Sequence, residues 1–85
     1  MSAREVALAT MQAALPDGCP MPGRIMLARF HGKNKITADV LLFDGERGTA
    51  CFSRWAFGWS YGWERLPGGD ISFEGGAWKR SERRP

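Results

Sequence analysis

Between residues 24 and 57 the chain carries three runs rich in Ile, Leu, Val and Phe: "RIMLARFH" at 24–31, "KITADVLLFD" at 35–44 and "TACFSRWAF" at 49–57. Only short glycine-led segments, "GKNK" and "GERG", separate them, and both have turn composition. This spacing restricts the fold more than any other feature. Connections so short cannot hold a crossover helix, so consecutive strands must pair antiparallel as a meander.

Upstream the period changes. Ser2 and Glu5 form an S-x-x-E capping box, in which the Ser2 hydroxyl accepts from the Glu5 N–H and the Glu5 carboxylate accepts from the Ser2 N–H. Leu8, Met11 and Leu15 then fall on one narrow stripe of a helix, and "PDG" at 16–18 stops it. The pattern predicts one amphipathic helix over residues 3–15. "CPMPG" at 19–23 reads as a stiff connector into the first strand.

The segment "WAFGWSYGW", residues 55–63, has a ring at every odd position and a small residue at every even one. Two arrangements fit it. Gly58 and Gly62 can bracket a tight connection leading to a fourth strand, "WERL" at 63–66, or the third strand can run on to Trp63 with all five rings on one face. In an extended strand such rings stand about 6.6 Å apart, a spacing able to support successive unstacked bases. The competing reading is a core: a helix with so narrow a stripe needs large side chains facing it, and Trp and Phe bury about 150 to 250 Å² each. If rings are exposed, Trp59 and Tyr61 are expected to be among them. Beyond this segment, "PGGD" at 67–70 is a turn, "ISFE" at 71–74 a short strand and "GG" at 75–76 the end of the body.

The 85 residues suffice for one domain. A domain of this size buries only about 60 to 65% of the surface its unfolded chain exposes, so much of the 44% apolar content must serve the core. The formal charge is +3, and its placement matters more than its size. Residues 77–85 hold Lys79, Arg80, Arg83 and Arg84 against Glu82, whereas the rest of the chain holds eight basic and eight acidic side chains. A single domain over 1–76 with a flexible basic tail over 77–85 is therefore expected.

No apolar run approaches the length of a bilayer span, and the N-terminus lacks a positive segment followed by an uninterrupted apolar stretch. The expectation is a cytoplasmic protein with no membrane partner. There the two cysteines, Cys19 and Cys51, would be free thiols, with Cys51 a small buried residue. Adding His31 gives three potential metal ligands where a closed zinc site takes four, so neither a metal nor another cofactor is expected. Catalysis is not expected either: the one histidine, His31, follows a strand before Gly32, and no paired carboxylates or phosphate-binding loop accompany it.

These readings converge on an α+β domain, one N-terminal helix packed on an antiparallel sheet of four to five short strands, with a basic tail. The expected role is a small protein-binding module, an adaptor or inhibitor of the format used by phage or mobile-element modulators of host machinery. Its contact residues would be Arg54, Trp55, Trp59, Tyr61 and Trp63, types enriched in interface hot spots. The alternative is a single-stranded nucleic-acid binder that stacks bases on the stripe and meets phosphates with Lys33, Lys35, Arg54, Lys79, Arg80, Arg83 and Arg84. A homodimer formed through an open edge such as "ISFE" is a third arrangement.

Overall fold

The computed structural model describes residues 1–81. The chain is α+β: helix α1 (Ala3–Ala14), strands β1 (Gly23–Phe30), β2 (Lys35–Leu42), β3 (Arg47–Trp55) and β4 (Gly58–Arg65), then a hairpin of β5 (Ile71–Glu74) and β6 (Ala77–Arg80). The first four strands form one antiparallel sheet in the order β1-β2-β3-β4, as the short turns require, and β5 and β6 form a separate two-stranded sheet.

The capping box opens α1. Ser2 Oγ accepts from the Glu5 N–H at 3.2 Å, and Glu5 Oε1 accepts from the Ser2 N–H at 3.0 Å. The bond from the Ser2 N–H, with the Ser2 hydroxyl beside it, holds the Glu5 carboxyl below its ordinary pKa. The helix stops at Ala14 because Pro16 forces Leu15 into an extended conformation, with φ −91° and ψ 145°. The buried stripe is Ala3, Val6, Ala7 and Met11, and Leu8 stays 41% exposed. The expected Leu8–Met11–Leu15 stripe is thus rotated toward the alanines. Small side chains on that face let the helix approach the sheet closely, which favours it over a larger but more distant leucine contact.

Strand alternation sends Ile36, Ala38, Val40 and Leu42 of β2, and Gly48, Ala50 and Phe52 of β3, toward the helix. Ala38 pairs with Ala50 and Ile36 with Phe52, so the centre of this face is low and its border is tall. Met11 and Phe52 are both fully buried in this layer. α1 lies against β1, β2 and β4. Contact with strands on both sides of β3 means that the sheet curls about the helix, and β3, at the bottom of the curl, contributes the largest buried side chain. Register shifts at both edges, between Ile25 and Leu27 in β1 and opposite Thr49–Ala50 in β4, add to that bend.

The hairpin β5–β6 corrects the expected end of the body at residue 76. Residues 77–80 are a strand, and Arg80 is held there by five contacts. Its Nε and Nη2 donate to the two oxygens of Asp44 at 2.8 and 3.1 Å, its Nη1 donates to the carbonyls of Pro67 and Gly69, and its guanidinium lies 5.8 Å from the Phe43 ring centre. Trp78 Nε1 donates to the Pro20 carbonyl at 2.9 Å, and its ring meets Phe43 and Phe73. Of the expected tail, only Glu82, Arg83, Arg84 and the final proline lie outside the described residues. The "ISFE" segment is β5, paired with β6 along one side rather than forming an edge of the main sheet.

Two outcomes follow from this packing. Phe52→Ala is expected to lower the unfolding free energy by about 3–5 kcal/mol, measured by urea titration, because the fully buried ring leaves a cavity under the helix. A loss below about 1 kcal/mol would place Phe52 outside the core. The second outcome concerns pH. The Arg80 hydrogen bonds, chiefly, hold the Asp44 carboxyl below its ordinary pKa, so its stabilisation is complete above about pH 4 and is lost as pH falls through the depressed value. The difference in Tm between wild type and Asp44→Asn is expected to narrow across that acidic window, and a constant difference would contradict the ion pair.

Candidate binding surfaces

The strand pairing settles the geometry of residues 55–63, and neither expected arrangement is the one found. The chain reverses at Ala56 and Phe57, with Trp55 opposite Gly58, and Gly58 takes a φ of +126° that a side chain rarely adopts. The reversal divides the rings among three environments. Trp55 is on the outer face of the sheet, away from the helix. Phe57 is at the tip of the hairpin. Trp59, Tyr61 and Trp63 alternate onto the helix side of β4, opposite Arg54, Phe52 and Ala50.

The expectation of exposed Trp59 and Tyr61 is therefore corrected. Both are half-buried, as is Trp63, and all three pack against the core. Tyr61 lies 5.7 Å from the Phe52 ring and 6.3 Å from Trp63 in an edge contact. Burial pushes the Tyr61 hydroxyl pKa up. Trp63 lies over the buried Gly48, where an added Cβ would sit 3.2 Å from its ring carbon Cζ3. The rings left open are Trp55, 64% exposed, and Phe57, wholly exposed. Phe57 was legible as one of five rings, and nothing in the alternation marked it as the one at the tip.

The basic residues divide as well. The β1–β2 turn and the β3–β4 turn lie at the same end of the sheet, joined by the Arg54 N–H, which donates to the Asn34 carbonyl at 2.9 Å. Lys33, Lys35 and Arg54 are thus gathered near Phe57, with no acidic residue in segments 29–37 or 51–63. Lys79 and Arg80 belong to β6 at the opposite end, beside the β2–β3 turn, and Arg80 is committed to Asp44. They do not join the first group. Arg83 and Arg84 lie outside the described residues.

Beside the tip, a groove of about 290 Å³ runs between the end of α1 and β4, lined by Thr10, Ala13, Ala14, Trp59, Ser60 and Tyr61. Its floor is aromatic and its helix wall is alanine, so it offers apolar surface with little steric bulk. A larger groove of about 400 Å³ lies at the other edge of the sheet, between Leu8, Met21 and Ile25, and contains none of the residues selected from the sequence. Cys19 and Cys51 are both free thiols. Cys51 is half-buried on the outer face rather than in the core, because it shares the phase of Ser53 and Trp55. His31 Nε2 is 2.7 Å from Thr37 Oγ1 on the same outer face. Among the described residues no three His, Cys, Asp or Glu side chains group as a metal site would need, and no helix is long and apolar enough to cross a membrane.

No protein-family model matches the chain, and no curated protein or solved structure is detectably similar to it.

Acrylamide quenching is expected to separate the tryptophans. Trp55→Phe should remove most of the quenchable, red-shifted emission, whereas Trp59→Phe and Trp63→Phe should remove mainly the protected, blue-shifted part. Loss of the quenchable part in Trp59→Phe would mean that the hairpin does not reverse at residues 56–57.

Proposed function

We propose that the chain is a small non-catalytic module that docks onto another protein through the helix-side surface at the β3–β4 hairpin. The observation that carries this reading is Phe57, a phenyl ring wholly exposed at the tip of a two-residue turn between paired strands. Leaving such a side chain in water forgoes about 1.5–3 kcal/mol of burial, which a binding partner can recover.

The surroundings support a protein partner. Arg54 and Trp59 are cross-strand neighbours beside the tip, and Tyr61 completes the aromatic floor of the adjoining groove. Trp, Tyr and Arg are the residues that dominate interface energetics, and they act best where a rigid scaffold presents them. Here the scaffold is a ladder-paired hairpin whose Trp59 and Tyr61 are already seated against the core, so little side-chain freedom is lost on binding. An alanine wall on α1 leaves room for an incoming apolar side chain. The reading includes a cytoplasmic setting, consistent with two unpaired thiols, and an adaptor or inhibitor role that needs no reacting group.

The test is affinity capture from lysate of the source cells at about 1 M salt, where the Debye length falls to about 3 Å and charge-driven contacts are screened. A specific protein retained by wild type and lost with Phe57→Ser supports the reading. Because the Phe57 ring is open to solvent, the serine variant should melt at the wild-type temperature. Equal retention by both proteins, or retention by neither, would overturn the assignment of the tip.

A further inference from the structure

The face of the sheet that α1 leaves uncovered has different chemistry from the hairpin tip. Register and strand phase place Arg29, Lys35, Arg47 and Arg65 on it, one from each strand, with Arg24 at the start of β1, against the carboxylates of Asp39 and, at the β4 bulge, Glu64. These side chains give the face a net charge of +3, in a body whose first 76 residues are neutral overall. The fold has therefore concentrated on one side a charge that the composition does not show.

Leu27 and Leu41 make the β1–β2 side of this face partly apolar, whereas across β3 and β4 it is low and polar. Thr37, Thr49, Cys51, Ser53, Ser60 and Gly62 occupy the middle positions, offering hydroxyl donors and acceptors without bulk. Trp55 stands at one corner. Its Nε1 donates to Ser60 Oγ at 2.7 Å, which fixes the indole by its edge and leaves most of the ring open. His31, hydrogen-bonded to Thr37, stands toward the β1 side with Arg29.

We infer that this outer sheet face binds single-stranded nucleic acid, independently of the hairpin tip. Four cations spread over strands about 4.8 Å apart match a run of phosphates. An open indole gives an unpaired base a stacking platform, and the hydroxyls between can meet base edges. An acidic peptide would satisfy the charge but carries no base to stack on the open indole. A duplex keeps its bases stacked, where Trp55 cannot reach them, and its rigid rod would touch this convex face along one line. A flexible single strand can follow the curvature.

The experiment is fluorescence anisotropy of labelled, mixed-sequence single-stranded DNA and RNA, with duplex DNA and polyglutamate as competitors. Engagement of three to four phosphates predicts an affinity that falls roughly 20- to 50-fold between about 50 and 200 mM salt. Trp55→Ala should weaken binding by about 5- to 150-fold, the range expected for one lost base stack. The pair Arg29→Glu and Lys35→Glu should weaken it at least about tenfold and flatten the salt dependence. Phe57→Ser should bind as wild type does, so failure at the tip and failure at this face are read separately. All these side chains are exposed or at a rim, and an unchanged circular dichroism spectrum checks each fold. Binding to DNA, RNA or both with this pattern supports the inference. No binding, equal competition by duplex or polyglutamate, or unaltered affinity in the charge-reversed pair would overturn it.

Discussion

The distance between α1 and the sheet governs the rest of the molecule. Ala3 and Ala7 on the helix face a layer centred on the Ala38–Ala50 pair, and these small side chains allow one short helix to settle deeply enough to bury Met11 and Phe52 completely. A chain of 85 residues can build only one such core. With so little apolar surface on the helix, the sheet must curl to reach it from both sides. The curl brings the aromatic side chains of β4 to the border of the core and turns the opposite face outward as a convex surface.

The C-terminal hairpin closes the end of this assembly opposite the β1–β2 and β3–β4 turns. Arg80 joins Asp44 to the carbonyls of Pro67 and Gly69, and Trp78 reaches back to Pro20, so the connector after α1, the β2–β3 turn and the last strand are held together. The bidentate geometry matters more than the charge alone, because one guanidinium satisfies four acceptors drawn from two separate turns. Two basic residues of the apparent tail are consequently structural or distant from the hairpin tip. The surfaces on which the two proposals rest are the tip with its aromatic groove and the outer sheet face.

These two surfaces differ in kind because of strand phase. On β3 and β4 the helix-side positions carry Phe52, Tyr61 and Trp63, and the outer positions carry Cys51, Ser53, Ser60 and Gly62. One reversal of the chain at Ala56–Phe57 assigns Trp55 to the outer set and Trp59 to the inner set. Neighbouring rings in sequence thus serve unrelated environments, one among hydroxyls and cations, the other against alanines.

The sequence by itself determined the helix, its cap, the antiparallel meander and the α+β class, since these depend on local signals: Ser2 with Glu5, Pro16 after Leu15, and glycine-led turns too short for a crossover. It also supplied the rings and cations from which both surfaces are built. Only the tertiary structure decided which rings are buried, because a strict alternation of large and small residues fits one long strand and a hairpin equally well, and the choice rests on pairing with β3. It likewise decided the fate of Arg80 and of the outer-face cations. Asp44 lies 36 positions from Arg80, and Arg29, Lys35, Arg47 and Arg65 are scattered through the chain. No local pattern joins such residues, and sheet register does.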